Sequence, residues 1–375
     1  MFVRPNVVII GAASRNVGKT ELACELIRRH SSSHRVIGIK VTAVNGQESA
    51  CPRGGAGCGV CSSLREPYLI TNEDCVEGQK DTSRMLRAGA GEVLWLRVQR
   101  DHLEEGVRQL LSRVPEDTLA VCESNSVRAV LEPGLFLVVR RQGDPSIKPS
   151  CAAVLEHADR VLEFTGSGWD LDPGQIVMTQ DGWALRPQAT AIILAGGKSR
   201  RMGGDKSLLD VGGMPLIQRV AQQLAYFPQL LVSANEPSKY EFLGLPVIPD
   251  LEPGQGPLMG IASCLAHAEH DLCFVTGCDI PRLHARFVIG LVELAKDYDI
   301  VMPRLPDGRT EPLLAVYRRD VQTLAQELLQ AGTRRIVALL DRVRVRFVPF
   351  ENADWYGNLN THEDYSAWLH RKVLP

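Results

Sequence analysis

The chain has 375 residues, 45% hydrophobic and 23% charged, an ordinary globular composition at a length that suits two domains better than one core. A formal net charge of -2 gives no support to a nucleic-acid-coating surface, leaving room only for a local cationic pocket. No run approaches the ~18 consecutive apolar residues of a membrane span, and MFVRPNVVII lacks a signal-peptide layout, so the cytoplasm is the expected location.

Taken in chain order, the first region alternates apolar runs with helical patterns. Strands are expected at 7–10, 36–41, 93–98, 118–122, 135–140 and 160–164, with helices near 19–30, 82–90 and 103–113. The runs are continuously apolar, as in parallel strands covered on both faces. TGSGWDLDPG then reads as turn chemistry, and DGWALRPQAT, ending at 190, as the domain boundary. The second region restarts the pattern, with strands expected at 191–194, 229–234, 245–249, 271–277, 300–303, 313–317 and 343–350, and helices near 215–226, 258–268, 283–295 and 320–329. The expectation is two α/β domains, 1–185 and 189–375, with ligand sites beyond the carboxyl ends of the strands.

Each region opens with a strand and a phosphate-suited loop. GAASRNVGKT at 11–20 approximates GxxxxGK[ST], with Ala13 in the first glycine position and Gly18, Lys19 and Thr20 intact. Its backbone N–H groups can surround a phosphate, Lys19 can reach terminal oxygens and Thr20 can ligate Mg2+. Ala13 suits this only if that position needs no positive φ. Glu123, in CESNS after an apolar run, either holds Mg2+ or orients water, or else caps the following turn.

Ten cysteines occur. Cys24, Cys122, Cys264 and Cys273 fall in apolar elements and read as reduced, buried thiols. Cys51, Cys58 and Cys61, with Cys75 following, leave three readings open: a metal site, zinc ahead of iron–sulfur, a flexible insert with free thiols, or redox pairing of Cys58 with Cys61.

The second loop, LAGGKSRRMGGDK at 194–206, interleaves Gly196, Gly197, Gly203 and Gly204 with Lys198, Arg200, Arg201 and Lys206. Close backbone approach plus positive charge is what transfer of a nucleotidyl group needs as pyrophosphate leaves. Asp279, after the strand ending VTG, offers a hard oxygen ligand for Mg2+, and Asp250 stands in a similar strand-end place; either residue type also occurs in plain turns. Asn235 can hydrogen-bond a base or ribose. Asn358 and Asn360 suit contacts to a bulky polar co-substrate, or Asn360-Thr361 caps the final helix near Glu363.

LAGGKSRRMGGDK, Asp250, CDIP, GPLMG and NLNTHED together resemble the molybdenum cofactor guanylyltransferase family over essentially all of 189–375. The resemblance implies a Rossmann-like nucleotidyltransferase sheet that transfers GMP from GTP to Mo-molybdopterin. It implies GTP contacts by Leu194, Ala195 and Gly196, phosphate contact by Lys206, nucleotide placement by Asn235 and Asp250, and GTP and Mg2+ binding by Asp279. Related cytidylyltransferases tend to carry LAAG, so Gly196 favours guanine. The first region, through its phosphate loop, IGIK at 37–40 and QKDTSRMLRAGA at 79–90, is similar to the GTP-binding adaptor family of the same pathway. Lys80, Asp81, Ser83, Arg84, Ala88, Gly89 and Ala90 are its landmarks. VTAVNGQESACPRGGAGCGVC replaces the usual His-rich segment, and Glu123-Ser124 the usual Glu-Gly. A homodimer, molybdenum-insertion proteins and molybdoenzyme apoproteins are the implied partners. Two rivals stay open: transfer of cytidylyl or another nucleotidyl group, and nucleotide-gated molybdopterin delivery.

Overall fold

The computed structural model describes residues 1–44, 64, 66–195, 205–351, 355–359 and 361–371. It divides into two units, Met1–Leu185 and Arg186–Pro375.

The first unit runs β1 (Phe2–Ala12), α1 (Lys19–His30), β2 (Val36–Val44), β3 (Tyr68–Asn72), α2 (Asp81–Arg87), β4 (Glu92–Gln99), α3 (Leu103–Leu111), β5 (Leu119–Glu123), β6 (Leu131–Arg141), α4 (Pro149–Ala152), β7 (Arg160–Phe164), β8 (Ile176–Thr179) and β9 (Gly182–Leu185). Seven strands form one sheet in the order β3-β4-β2-β5-β1-β6-β7. All pairings are parallel except that of β3 with β4. The apolar run of β1 shows why. Val7 and Ile9 enter one apolar cluster with Val107, Leu110 and Leu111 of α3, while Val8 and Ile10 enter another with Leu22, Leu26 and Ile27 of α1. Both faces are covered, so neither needs polar residues.

Two elements correct the sequence reading. YLITN forms β3, an edge strand that the apolar-run criterion misses because its residues are half-buried or exposed. GWAL, in the expected boundary segment, is β9 of a hairpin with β8. Trp183 is buried there, its indole Nε1 donating to the backbone O of Asn6 at 2.9 Å.

The second unit runs β10 (Thr190–Leu194), α5 (Leu216–Gln223), β11 (Gln229–Ser233), β12 (Val247–Ile248), α6 (Pro257–Leu265), β13 (Leu272–Gly277), α7 (Ala285–Leu294), β14 (Ile300–Arg304), β15 (Leu314–Arg318), α8 (Val321–Gln330), β16 (Val345–Pro349) and α9 (His362–Arg371). Its sheet order is β12-β11-β10-β13-β15-β14-β16, with β15 antiparallel to both neighbours. The chain leaves β10 toward β11 and returns on the opposite side as β13, which makes the end of β10 a topological switch point, the usual place for a ligand. Thr361 caps α9 reciprocally with Asp364 rather than with Glu363: Asp364 N donates to Thr361 Oγ1 at 3.1 Å, and Thr361 N to Asp364 Oδ2 at 2.8 Å. No helix among the described residues is long and apolar enough to cross a membrane.

Candidate functional site

Strand register assembles the site of the second unit. Leu194, the last residue of β10, lies level with Ser233 of β11 and Gly277 of β13. The residues that follow each strand, Ala195, Asn235 and Asp279, therefore emerge along one edge. Ala195 N donates to Ser233 O at 3.0 Å and Cys278 N to Leu194 O at 3.1 Å, tying these exits together. Asp279 accepts from Lys206 Nζ at 2.9 Å. A Cβ on Gly277 would collide with Asp279 Oδ1, so glycine leaves that oxygen its space.

Asn235 and Asp250 form a reciprocal pair. The amide of Asn235 donates to Asp250 Oδ2 at 2.8 Å, and the backbone N of Asp250 donates to Asn235 Oδ1 at 2.8 Å. Beside them, a Cβ at Gly260 would lie 2.6 Å from Ser233 Oγ and 3.4 Å from both Asp250 Oδ1 and Leu194 Cδ2. The second glycine of GPLMG thus lets α6 approach the end of β10.

Several contributing residues are not singled out by the sequence reading. Asp205 accepts from Ser207 N at 2.9 Å and Ser207 Oγ at 2.6 Å, and pairs with Lys239. Burial acts to raise its carboxyl, but these donors outweigh burial and hold it below the ordinary value. Gln223, buried at the end of α5, donates to Pro281 O at 3.0 Å and accepts from Leu283 N at 2.8 Å, while Arg219 Nε also donates to Pro281 O at 3.0 Å. The turn after Asp279 is thereby clamped. On the other side Leu359 N donates to Asp279 O at 2.9 Å, linking the NLNTHED segment to the same residue.

In the first unit, Gly18 caps α1 with φ 78, and a Cβ there would meet the Phe164 ring at 2.7 Å. Asn16, at φ 56, is the one non-glycine with positive φ among the described residues; Ala13 needs no such conformation. Glu123 is 3% exposed and accepts from Lys19 Nζ at 2.8 Å and Thr20 Oγ1 at 3.0 Å. The carboxylate and hydroxyl oxygens that Mg2+ would use are therefore adjacent.

Gly196, Gly197, Lys198, Arg200, Arg201, Asn360, Cys51, Cys58 and Cys61 lie outside the described residues. Cys75 is exposed and unpaired, and no group of three or more His, Cys, Asp or Glu among the described residues is placed to hold a metal. Cys24, Cys122, Cys264 and Cys273 are buried free thiols, as are Cys151 and Cys278. Burial pushes Cys24 up to about 11 and Cys122, Cys264, Cys273 and Cys278 up to about 12.

A lysine–carboxylate pair and an Asn–Asp pair gather at the switch point of a largely parallel sheet, the place where an open α/β sheet takes a ligand. Residues 191–345 match the MobA-like NTP transferase domain. The probable molybdenum cofactor guanylyltransferase of Carboxydothermus hydrogenoformans is 35% identical over 187 residues, covering 48% of this chain and 94% of that protein. That of Pelotomaculum thermopropionicum is 39% identical over 185 residues, covering 47% and 90%. The crystal structure of molybdopterin-guanine dinucleotide biosynthesis protein A from Archaeoglobus fulgidus is 25% identical, with a TM-score of 0.43, covering 49% of this chain and 98% of that one. The chain belongs to the MobA-like molybdenum cofactor guanylyltransferase family through its second unit, which is fused behind a separate α/β unit.

Proposed function

We propose that the second unit transfers GMP from GTP to Mo-molybdopterin, forming Mo-molybdopterin guanine dinucleotide and pyrophosphate. The observation that carries this reading is the Lys206–Asp279 pair at the exit of β13, level with the end of β10, in a chain of this family. A terminal phosphate oxygen of Mo-molybdopterin attacks the α-phosphorus of GTP; the bond to the β-phosphate oxygen breaks, and pyrophosphate leaves with the electron pair. Lys206 and Arg201 meet the negative charge that develops, and Leu194, Ala195 and Gly196 contact the nucleotide. Asn235 and Asp250 fix its base and ribose end. Asp279 has the oxygen chemistry to hold Mg2+, which when bound would offset phosphate charge. We read the first unit as a phosphate-loop GTP-binding adaptor that uses Gly18, Lys19, Thr20 and Glu123, and the whole as cytoplasmic.

Product analysis tests this reading. Full-length protein with Mg2+, Mo-molybdopterin and either GTP or CTP is expected to give the guanine dinucleotide with pyrophosphate. Asp279→Ala should lower turnover by at least about 100-fold with the fold intact. A cytosine product overturns the donor assignment; undiminished turnover in Asp279→Ala overturns the role of that carboxylate.

A further inference from the structure

A lysine side chain is a flexible stem, and Lys206 follows Gly203 and Gly204 closely in the sequence. Something must fix the point from which that stem starts if Nζ is to meet a phosphate in one place. The anchor lies in its two neighbours. Asp205 opens a 3-10 turn, Lys206–Leu208, and its carboxylate accepts from the Ser207 backbone N at 2.9 Å and from Ser207 Oγ at 2.6 Å. Ser207 is fully buried, so neither donor can turn to water instead. Having given its hydroxyl proton to Asp205, Ser207 Oγ is left to accept from the Tyr240 hydroxyl, 3.0 Å away. Tyr240 is 2% exposed, and burial raises its hydroxyl above the ordinary value, which keeps the proton there to donate. Lys239 pairs with the same Asp205 carboxylate.

The placement of these partners gives the row of bonds a direction. Lys239 and Tyr240 lie on the 3-10 segment Pro237–Leu243, between β11 and β12 and just after Asn235. Asp279 leaves β13, on the opposite side of β10. Asp205 is therefore held from the Asn235 side, while the adjacent Lys206 reaches Asp279 at 2.9 Å. A phenylalanine at 240 would fill the same buried space, so the hydroxyl has its use in the bond to Ser207.

Resting on the reading of the second unit as a guanylyltransferase, we propose that Tyr240 and Asp205 are positioning residues for Lys206. The relay Tyr240–Ser207–Asp205 sets where the lysine charge stands as pyrophosphate leaves. The stretch from Asn235 to Tyr240 thereby serves both ends of the nucleotide, Asn235 at the base and ribose and Tyr240, through Lys206, at the phosphates. Lys206 acts on charge that grows during transfer, so misplacing it slows turnover more than it weakens nucleotide binding.

The test measures kcat and KM for GTP in the full chain with Mg2+ and Mo-molybdopterin, read as pyrophosphate release. Asp205→Ala should lower kcat about 100-fold and Tyr240→Phe about 10-fold, each with KM for GTP changed by no more than about twofold. Asp205→Asn keeps one acceptor oxygen for Ser207 and should recover most of the Asp205→Ala loss. In a Lys206→Met background Tyr240→Phe should lower kcat no further, because effects that run through one group do not add. If Asp205→Ala unfolds, Tyr240→Phe carries the comparison, since it keeps the buried ring. A Tyr240→Phe loss that persists undiminished without Lys206, a loss confined to KM, or no loss at all overturns the proposal and leaves the transferase reading standing. A folded parent chain that transfers neither GMP nor CMP removes that reading and the proposal with it.

Discussion

His30 closes α1 with its ring edge-on to Trp183, centroids 4.7 Å apart. Burial, set against a backbone hydrogen bond at Ile176, holds its imidazole below the ordinary 6.5. The folded state thus disfavours the proton that the unfolded chain accepts. Stability is fully present above about pH 6.5 and is lost as pH falls through that value toward the folded one. His30→Gln should flatten this dependence, so that the drop in thermal midpoint between pH 7.5 and pH 5.5 is smaller than in the parent protein. An equal drop in both would place the acid sensitivity elsewhere. The loop at 11–20 shows the same dependence on single residues. Its one left-handed non-glycine is Asn16, a type that tolerates αL, so Ala13 fits without strain.

Among the elements, the clamp on the turn after Asp279 depends on the last turn of α5. Gln223→Ala would remove an acceptor of the Leu283 N–H and a donor to the Pro281 carbonyl, a cost of about 1–3 kcal/mol for a buried group. The expected outcome is a lower urea midpoint together with a higher Mg2+ concentration for half-maximal transfer, because Asp279 lies two residues from Pro281. A lower midpoint with an unmoved Mg2+ titration would mean that the clamp stabilises the turn without placing the carboxylate. Such partners are illegible in sequence, since Gln223 reaches across 58 and 60 positions to its contacts. What was legible follows from the same physics. Parallel strands buried on both faces show as unbroken apolar runs, which made β1, β2, β5, β10 and β13 readable. Strand-end Asp279 stood out because it follows such a run, and Asp250 because it follows the apolar stretch LPVIP, although β12 there is a half-buried edge strand. β3 is only partly covered, and β9 lies in the segment that reads as a domain boundary until Trp183 meets Asn6 across 177 positions.

At the scale of the whole molecule, each unit owns a sheet and the clusters that cover it. The guanylyltransferase of Carboxydothermus hydrogenoformans is matched over 94% of its length by 48% of this chain, so a protein of this extent occurs without the first unit. Residues 186–375 alone should accordingly fold and carry out transfer at the full-length rate per site when the co-substrate is saturating. Any benefit of the fusion would then be one of linkage, since a short tether holds its partner at an effective concentration on the order of millimolar. Comparing the fused chain with an equimolar mixture of 1–185 and 186–375, over falling protein concentration and limiting Mo-molybdopterin, isolates that benefit. The fused chain should hold its rate while the mixture falls to that of the second unit alone, and raising the concentration of 1–185 should restore the difference. A mixture that matches the fused chain at every dilution would show that the first unit contributes nothing to transfer by being attached.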